Sequence, residues 1–254
     1  AYNKNTQRFM DEAQKTADYA YRYRSTGYSI GQCFGYKIDY SNGNGYINTQ
    51  EELDNALATY QVGGTPRLGD FLYVDINEDG VIDEKDQAPI KYSDIPRITY
   101  GFSGSVNWKN FDFSFLFSGI AKASRVYTGW GATEFGLVGF YSDYHLQAWT
   151  AERYANGEEI KYPALASSPG TSQKANDFFI MDRSFLRLKN IELGYTLPKK
   201  LLKKVGINST RVYVNGNNLL TWKAMKTDAI DPEQSAELNY PITKMMNFGI
   251  NVTF

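Results

Sequence analysis

The stretch DINEDGVIDEKD, residues 75–86, has the residue types and spacing of a twelve-residue calcium loop. Asp75, Asn77 and Asp79 fall at positions 1, 3 and 5, and Gly80 stands at the sharp turn at position 6. Val81 offers its carbonyl at position 7, Ile82 is the apolar anchor at 8, and Asp83 and Asp86 hold 9 and 12. Hard oxygen ligands spaced by two let one short loop wrap one cation, so Ca²⁺ is the expected cofactor. Asp in place of Glu at the last position shortens the reach and predicts weaker binding, suited to an outside compartment rich in calcium. A solvated acidic turn is the competing reading of the same string. The preceding GDFLYV reads as a strand, so an ion here would staple a loop and not open a pair of sensor helices.

Other site chemistry is scarce. The sequence holds one histidine, His145, and one cysteine, Cys33. Triad hydrolysis and His-rich zinc sites are disfavoured, and no internal disulfide can form. No G-x-S-x-G occurs, and no carboxylate pair stands out for glycoside hydrolysis, so no catalytic residue is assigned and the chain is not expected to be an enzyme. His145 reads as a surface or structural residue and Cys33 as an unreactive, at least half-buried thiol. A net charge of −1 with scattered basic residues argues against nucleic-acid binding. No signal-peptide pattern opens the sequence, and no apolar run approaches the ~20 residues of a membrane helix. Neither observation bears on a membrane β-barrel, whose strands alternate.

Alternation is what the rest of the sequence offers. In FDFSFLFSG, Phe111, Phe113, Phe115 and Phe117 share one face of a strand, against Asp112, Ser114, Leu116 and Ser118. TYGFSGSVNW places Tyr100, Phe102, Val106 and Trp108 on one face, and only Lys109–Asn110 separates the two segments. A two-residue hairpin pairs Trp108 with Phe111, Val106 with Phe113, Gly104 with Phe115 and Phe102 with Phe117, so the apolar faces coincide. IELGYTL (191–197) alternates too. Leu186 and Leu188 have the opposite parity, which predicts a bulge near Lys189–Asn190. RVYVNGNNLL (211–220) is a weaker strand, and ITKMMNFGINVTF ends the sequence with one apolar face broken only at Lys244.

The links between these strands alternate in length: two residues, about sixty, about a dozen, about twenty. Short turns at one rim and long loops at the other are the pattern of outer-membrane barrels. An antiparallel sandwich explains the alternation equally well, but explains less well such long loops on one side only. In the barrel frame the Lys109–Asn110 turn is periplasmic. Residues 1–98 then form an extracellular region with short helices and the calcium-type loop at 75–86, and 99–254 hold about five barrel strands with a long extracellular loop at 121–183.

Around these strands, residues 6–23 carry a helical stripe of Phe9, Ala13, Ala17 and Ala20, and 49–60 open with a capping box, Thr49 and Glu52. Trp130 and Trp149 of the long loop are expected in a small core of its own, with stacking on sugars or on a partner as the other reading. Lys199, Lys200, Lys203 and Lys204 read as the wet face of a short turn helix.

Several blocks in order, GDFLYVDINEDGVIDEKD, IPRITYGFSGSVNWKNFDFSFLFSG, FFIMDRSFLRLKNIELGYTLPKKLLKKVGI, RVYVNGNNLLTW and FGINVTF, closely resemble the C-terminal part of SusC/RagA-type TonB-dependent transporters. The resemblance implies an all-β fold: the last strands of an antiparallel transmembrane barrel of about 22 strands, with long extracellular loops. It also implies a Gram-negative outer-membrane location, import of oligosaccharides or peptides, and a SusD-like surface lipoprotein as partner. Energy would come from TonB through an N-terminal part this sequence lacks. With no plug, no TonB box and about five strands, the chain reads as a fragment that must share its barrel with more polypeptide. In that frame Phe111, Phe113, Phe115 and Phe117 face lipid, Trp108 joins the periplasmic aromatic girdle, and Phe254 resembles the terminal aromatic read by the barrel-assembly machinery. The competing function is a soluble, calcium-stapled β-sandwich that binds carbohydrate or a scaffold protein.

Overall fold

The structure, a computed structural model, describes residues 1–7, 25–129, 133–134, 141, 143–202, 206–234 and 242–254. Most of the helix expected at 6–23, together with Trp130, Lys203 and Lys204, lies outside the described residues.

Five strands form one antiparallel meander: β3 (Ile98–Trp108), β4 (Phe111–Ala121), β7 (Phe185–Thr196), β8 (Ser209–Lys223) and β9 (Met245–Thr253), in the order β3-β4-β7-β8-β9. The β3–β4 hairpin has the expected register from Trp108↔Phe111 to Phe102↔Phe117. Lys109 takes φ 55° in its tight turn, and its ammonium lies 4.8 Å over the Trp108 ring. That contact offsets part of the cost of a non-glycine residue in the left-handed region. The anticipated bulge in β7 is present: its ladder to β8 slips between Leu188 and Asn190, and the ladder to β4 slips between Leu116 and Phe117. This extra residue restores Leu186 and Leu188 to the apolar face despite their parity.

The connections sort by rim. The Lys109–Asn110 turn and the short helix α3 (Lys199–Leu202) lie at one end of the sheet. At the other end a body is built from the chain before β3, the long link between β4 and β7, and the segment after β8. Two small sheets belong to it: β1 (Gln32–Gly35) with β2 (Ala88–Ser93), and β5 (Ser124–Val126) with β6 (Ile180–Asp182). Its helices are α1 (Gln50–Thr59) and α2 (Ala151–Ala155). The sheet edge at β3 is met at its start by the first residues, with Tyr2 bridged to Ile98.

The hydrophobic core sits in the body. Tyr36, Ile38, Tyr46, Phe71, Tyr73, Trp149, Tyr162 and Phe179 pack together, so Trp149 lies not in a core of the long link alone but in one shared with the segment before β3, whose aromatics supply half of it. The buried Asp70 carboxylate accepts from Thr171 Oγ1 (3.0 Å) and Ser172 Oγ (2.8 Å), tying the long link to the segment before the acidic loop. Tyr73 Oη donates to the Thr171 carbonyl at 2.8 Å on the same seam. GDFLYV is not a strand. Phe71 bridges Tyr46 and Tyr73 bridges Ile38, two single bridges to different residues, so the alternation there marks burial without a ladder. The capping box of α1 is present, with Thr49 Oγ1 accepting from Glu52 N–H and Glu52 Oε2 accepting from Thr49 N–H.

The sandwich alternative fails on this architecture. All five long strands lie in one sheet, and among the described residues no core cluster includes any residue of its apolar face.

Candidate functional site

Register turns the strands into rows of side chains. One face carries Trp108, Phe111, Tyr195, Val212 and Ile250 in a row, then Val106, Phe113, Leu193, Val214 and Phe248 in the next. These groups are exposed or half-buried against one another: Phe248 is 82% and Trp108 63% exposed, while Phe71 in the body is 2% exposed. Exposed apolar surface on this scale marks an interaction surface, since water gains nothing by wetting it.

The opposite face is polar. Ser105, Ser114, Glu192, Asn215 and Asn247 form one row, and Asn247 donates to Asn215 at 2.9 Å. Arg211 on β8 reaches across β7 to Asp112 on β4, engaging it with Nε at 3.0 Å and also with Nη2, while Nη2 meets Glu192 at 2.6 Å. The bridge passes over Gly194, where a Cβ would come within 2.3 Å of Arg211 Nη2. Glycine in this strand leaves the room that the cross-strand guanidinium occupies. Asp112, Ser114 and Ser118 thus lie on the face opposite Phe111, Phe113, Phe115 and Phe117.

A second charged cluster, not singled out in the sequence, holds the segment after β8. Arg187 is 1% exposed and donates through Nε to Thr221 Oγ1, through Nη1 to Glu233 and through Nη2 to Asp231, at 2.9, 2.6 and 2.5 Å. Lys189 Nζ adds a bond to Glu233 at 2.7 Å. Long side chains from the bulged strand therefore buckle residues 231–233 onto the wall. The sequence signal was slight: a basic pair in FLRLKN and acids in DPE, about forty residues apart.

The acidic loop has the backbone of a cation loop. Gly80 takes φ 82°, and Asp75 Oδ2 accepts from Gly80 N–H while Oδ1 accepts from Glu78 N–H, both at 2.7 Å. Asn77 and Asp79 accept from the amides two residues on. The fully buried Asp86 accepts from Ile76 at 2.8 Å and from Asp83 at 2.8 Å, clasping the two ends of the loop. Lys85 Nζ lies 3.8 Å from Asp79 and 3.7 Å from Asp83. The donor set and turn suit a hard cation. In this conformation the carboxylates hold backbone amides and an ammonium, and among the described residues no three His, Cys, Asp or Glu side chains gather as a metal cage.

The two lone residues are structural. His145 is buried and stacks between Tyr144 and Tyr162, both at 4.3 Å, with Glu134 3.9 Å away. Burial pushes the Cys33 thiol up to about 11, the state of an unreactive core sulfur.

A meander with one apolar, uncovered face and one polar, charge-bridged face, carrying short turns at one rim and a folded body at the other, is a segment of transmembrane β-barrel wall. No protein-family model matches the sequence. The chain is 30% identical over 83% of its length to TonB-dependent receptor P26 and 28% identical over 90% to TonB-dependent receptor P3, both of Formosa agariphila. It is 26% identical over 86% of its length to TonB-dependent receptor SusC of Bacteroides thetaiotaomicron. It spans 22%, 22% and 20% of those three receptors. Among solved structures it matches the RagAB peptide importer in the open-open state, with TM-score 0.52 and 27% identity over 73% of this chain and 21% of that one. The RagAB peptide transporter, at 24% identity and TM-score 0.58 over 88% of this chain and 22% of that one, shares the fold. The chain belongs with the SusC/RagA-type TonB-dependent receptors and spans about a fifth of the length of these relatives.

Proposed function

We propose that the chain is wall and outer loops of an importer in the outer membrane of a Gram-negative bacterium, taking up oligosaccharides or peptides. The observation that carries this reading is the continuous apolar face, opposed row by row to a polar one. In it, Phe111, Phe113, Phe115 and Phe117 contact lipid acyl chains, Trp108 lies in the periplasmic aromatic girdle, and Phe254 is the aromatic read during barrel assembly. The Lys109–Asn110 turn and α3 are periplasmic and the body is extracellular. The remaining strands and plug belong to the same barrel, TonB supplies energy through that plug, and a SusD-like lipoprotein covers the body. The relatives are named as receptors, which supports transport and not catalysis.

The 75–86 loop binds Ca²⁺ through Asp75, Asn77, Asp79, the Val81 carbonyl, Asp83 and Asp86, and so staples the body. Bound Ca²⁺ would supply charge neutralisation that releases Lys85 to solvent. Calcium titrated into the full receptor is expected to raise the unfolding temperature of the body, and Asp79→Ala should remove the rise. An unchanged temperature across millimolar calcium would leave the loop as an acidic turn.

The importer reading is tested by fractionating native membranes and isolating the full receptor in detergent. Recovery from the outer membrane with a co-purifying lipoprotein is the expected result. Recovery as a monomer in plain buffer would overturn it.

A further inference from the structure

The body contains a cavity of about 700 Å³, within the ~300–1,000 Å³ span of small-ligand sites. It lies where the segment after β1, strand β2, the run leading into β7 and the segment leaving β8 meet. Tyr40, Tyr144 and Phe178 give it aromatic walls. Its lining carries three lysines and three carboxylates: Lys91, Lys161 and Lys226, with Glu159, Asp177 and Asp182.

Half of these charges are already spent. Lys161 pairs with Glu159 at 3.0 Å, and Asp182 Oδ1 accepts from the Ser184 amide at 2.8 Å and from its hydroxyl at 2.5 Å. The other three form no direct ion pair with one another, although Lys91 and Lys226 lie near enough to Asp177 to offset part of its burial. Lys91 takes φ 49° and turns its ammonium onto two carbonyls, Ile180 at 2.5 Å and Asp177 at 3.3 Å, and among the described residues forms no ion pair. Lys226 is exposed and, among the described residues, forms neither ion pair nor hydrogen bond. The Asp177 carboxylate accepts from the Ile38 amide, at 3.3 Å. Burial and the neighbouring Lys226 pull the Lys91 ammonium below the usual lysine value, and burial pushes the Asp177 carboxyl above the usual carboxylate value. Both groups are thus held partly dehydrated, each within the field of the other but in no direct ion pair, an arrangement with room for a ligand bringing charges of its own. A neutral oligosaccharide would supply an ion pair to neither.

We propose that this cavity is a subsite for a peptide with free termini, taking its carboxylate at Lys91 and Lys226, its ammonium at Asp177 and its side chains between the aromatic walls. The assignment rests on the importer reading and narrows its substrate to peptides. The Arg187 buckle acts on the same site, because it fastens the segment whose residues 224–227 form one wall.

The test uses the full receptor, isolated with its membrane partner, and titration calorimetry with Ala-Phe-Ala as probe. Four forms of the probe are compared: free, N-acetylated, C-amidated and doubly blocked, with maltotriose as the neutral glycan. Free peptide should bind saturably, and each block should weaken it about tenfold. Lys226→Gln, a change at an exposed side chain, should shrink the penalty for amidation, Lys91 keeping the rest, and leave that for acetylation. Asp177→Asn should do the reverse. Equal binding of free and doubly blocked peptide, penalties unchanged in both variants, binding of maltotriose alone, or no saturable binding would each overturn the subsite. Fractionation of the same preparation separates the two claims. A receptor in the outer membrane that ignores the peptide termini loses the subsite and keeps the importer reading. A receptor outside that membrane loses both.

Discussion

The sheet and the body use the same aromatic residues in opposite ways. In the body Phe71 and Tyr162 are buried and each meets the buried Phe179 edge-on, as in any water-soluble core. On the sheet Phe102, Trp108, Trp222 and Phe248 stand uncovered, paired only with neighbours on the same face. On the importer reading, one half of the chain is folded for water and the other for a solvent that is itself apolar. Burial in the usual sense describes the body, whereas in the sheet lateral hydrogen bonding and a polar inner face hold the strands in register.

The largest effect that would sharpen this contrast is expected in the body. Phe71→Ala should destabilise it by about 4 kcal/mol, a cavity in a packed core, seen as loss of hydrogen-exchange protection in residues 36–73. Next is Phe248→Arg, near the middle of β9. Refolded into lipid vesicles, the receptor should lose about 3 kcal/mol, the cost of a charge on a lipid face. A change under about 0.5 kcal/mol would mean that this face meets water, as for an ordinary surface substitution. Arg187→Met should cost about 2 kcal/mol, less than for a fully buried pair because Asp231 and Glu233 remain partly in solvent. Its signature would be faster proteolysis of the segment after β8 with the wall intact.

The smallest effect concerns α1. Thr49→Ala should cost the body about 1 kcal/mol through loss of the cap. Burial alone would raise the Glu52 carboxyl, but hydrogen bonds from Asn42, Asn48 and Thr49 outweigh it and hold the group below the usual glutamate value. A depressed carboxylate stabilises the fold above its unfolded pKa, and the contribution is lost as pH falls through the depressed value. Glu52→Gln should therefore flatten the acid limb of the body's stability profile and change little below it. An unchanged acid limb would show that Glu52 adds nothing to the cap.

Legibility in the sequence followed the range of the interactions. The β3–β4 register was readable because a two-residue turn fixes it locally, and the bulge at Lys189 because it flips the parity of Leu186 and Leu188. The capping box was likewise local. GDFLYV misled because alternation reports which side is buried, not whether a neighbour runs alongside. Strand β8 continues to Lys223, past the expected end at Leu220. The alternation breaks where Asn218 takes φ 54° beside the bulge, then resumes on the apolar face at Leu220 and Trp222. Strand β9 starts at Met245, after the one lysine that interrupts its face. The Arg187 buckle and the charged cavity were not legible, since each joins residues brought together only by the folded body. The acidic loop was legible as a turn, while its occupancy depends on an ion the sequence only permits.

The central claim is that the face bearing the four phenylalanines contacts lipid. Its most direct test is nitroxide scanning of positions 112–118 in the full receptor reconstituted in bilayers, one cysteine at a time with other reactive cysteines replaced. Cys33, buried with its thiol pushed up to about 11, would not take the label. Collisions with molecular oxygen should peak at 113, 115 and 117, and collisions with a water-soluble nickel chelate at 112, 114 and 118, in antiphase with a period of two. In-phase profiles, or protection of the phenylalanine positions from both reagents, would contradict the account and return that face to a protein core.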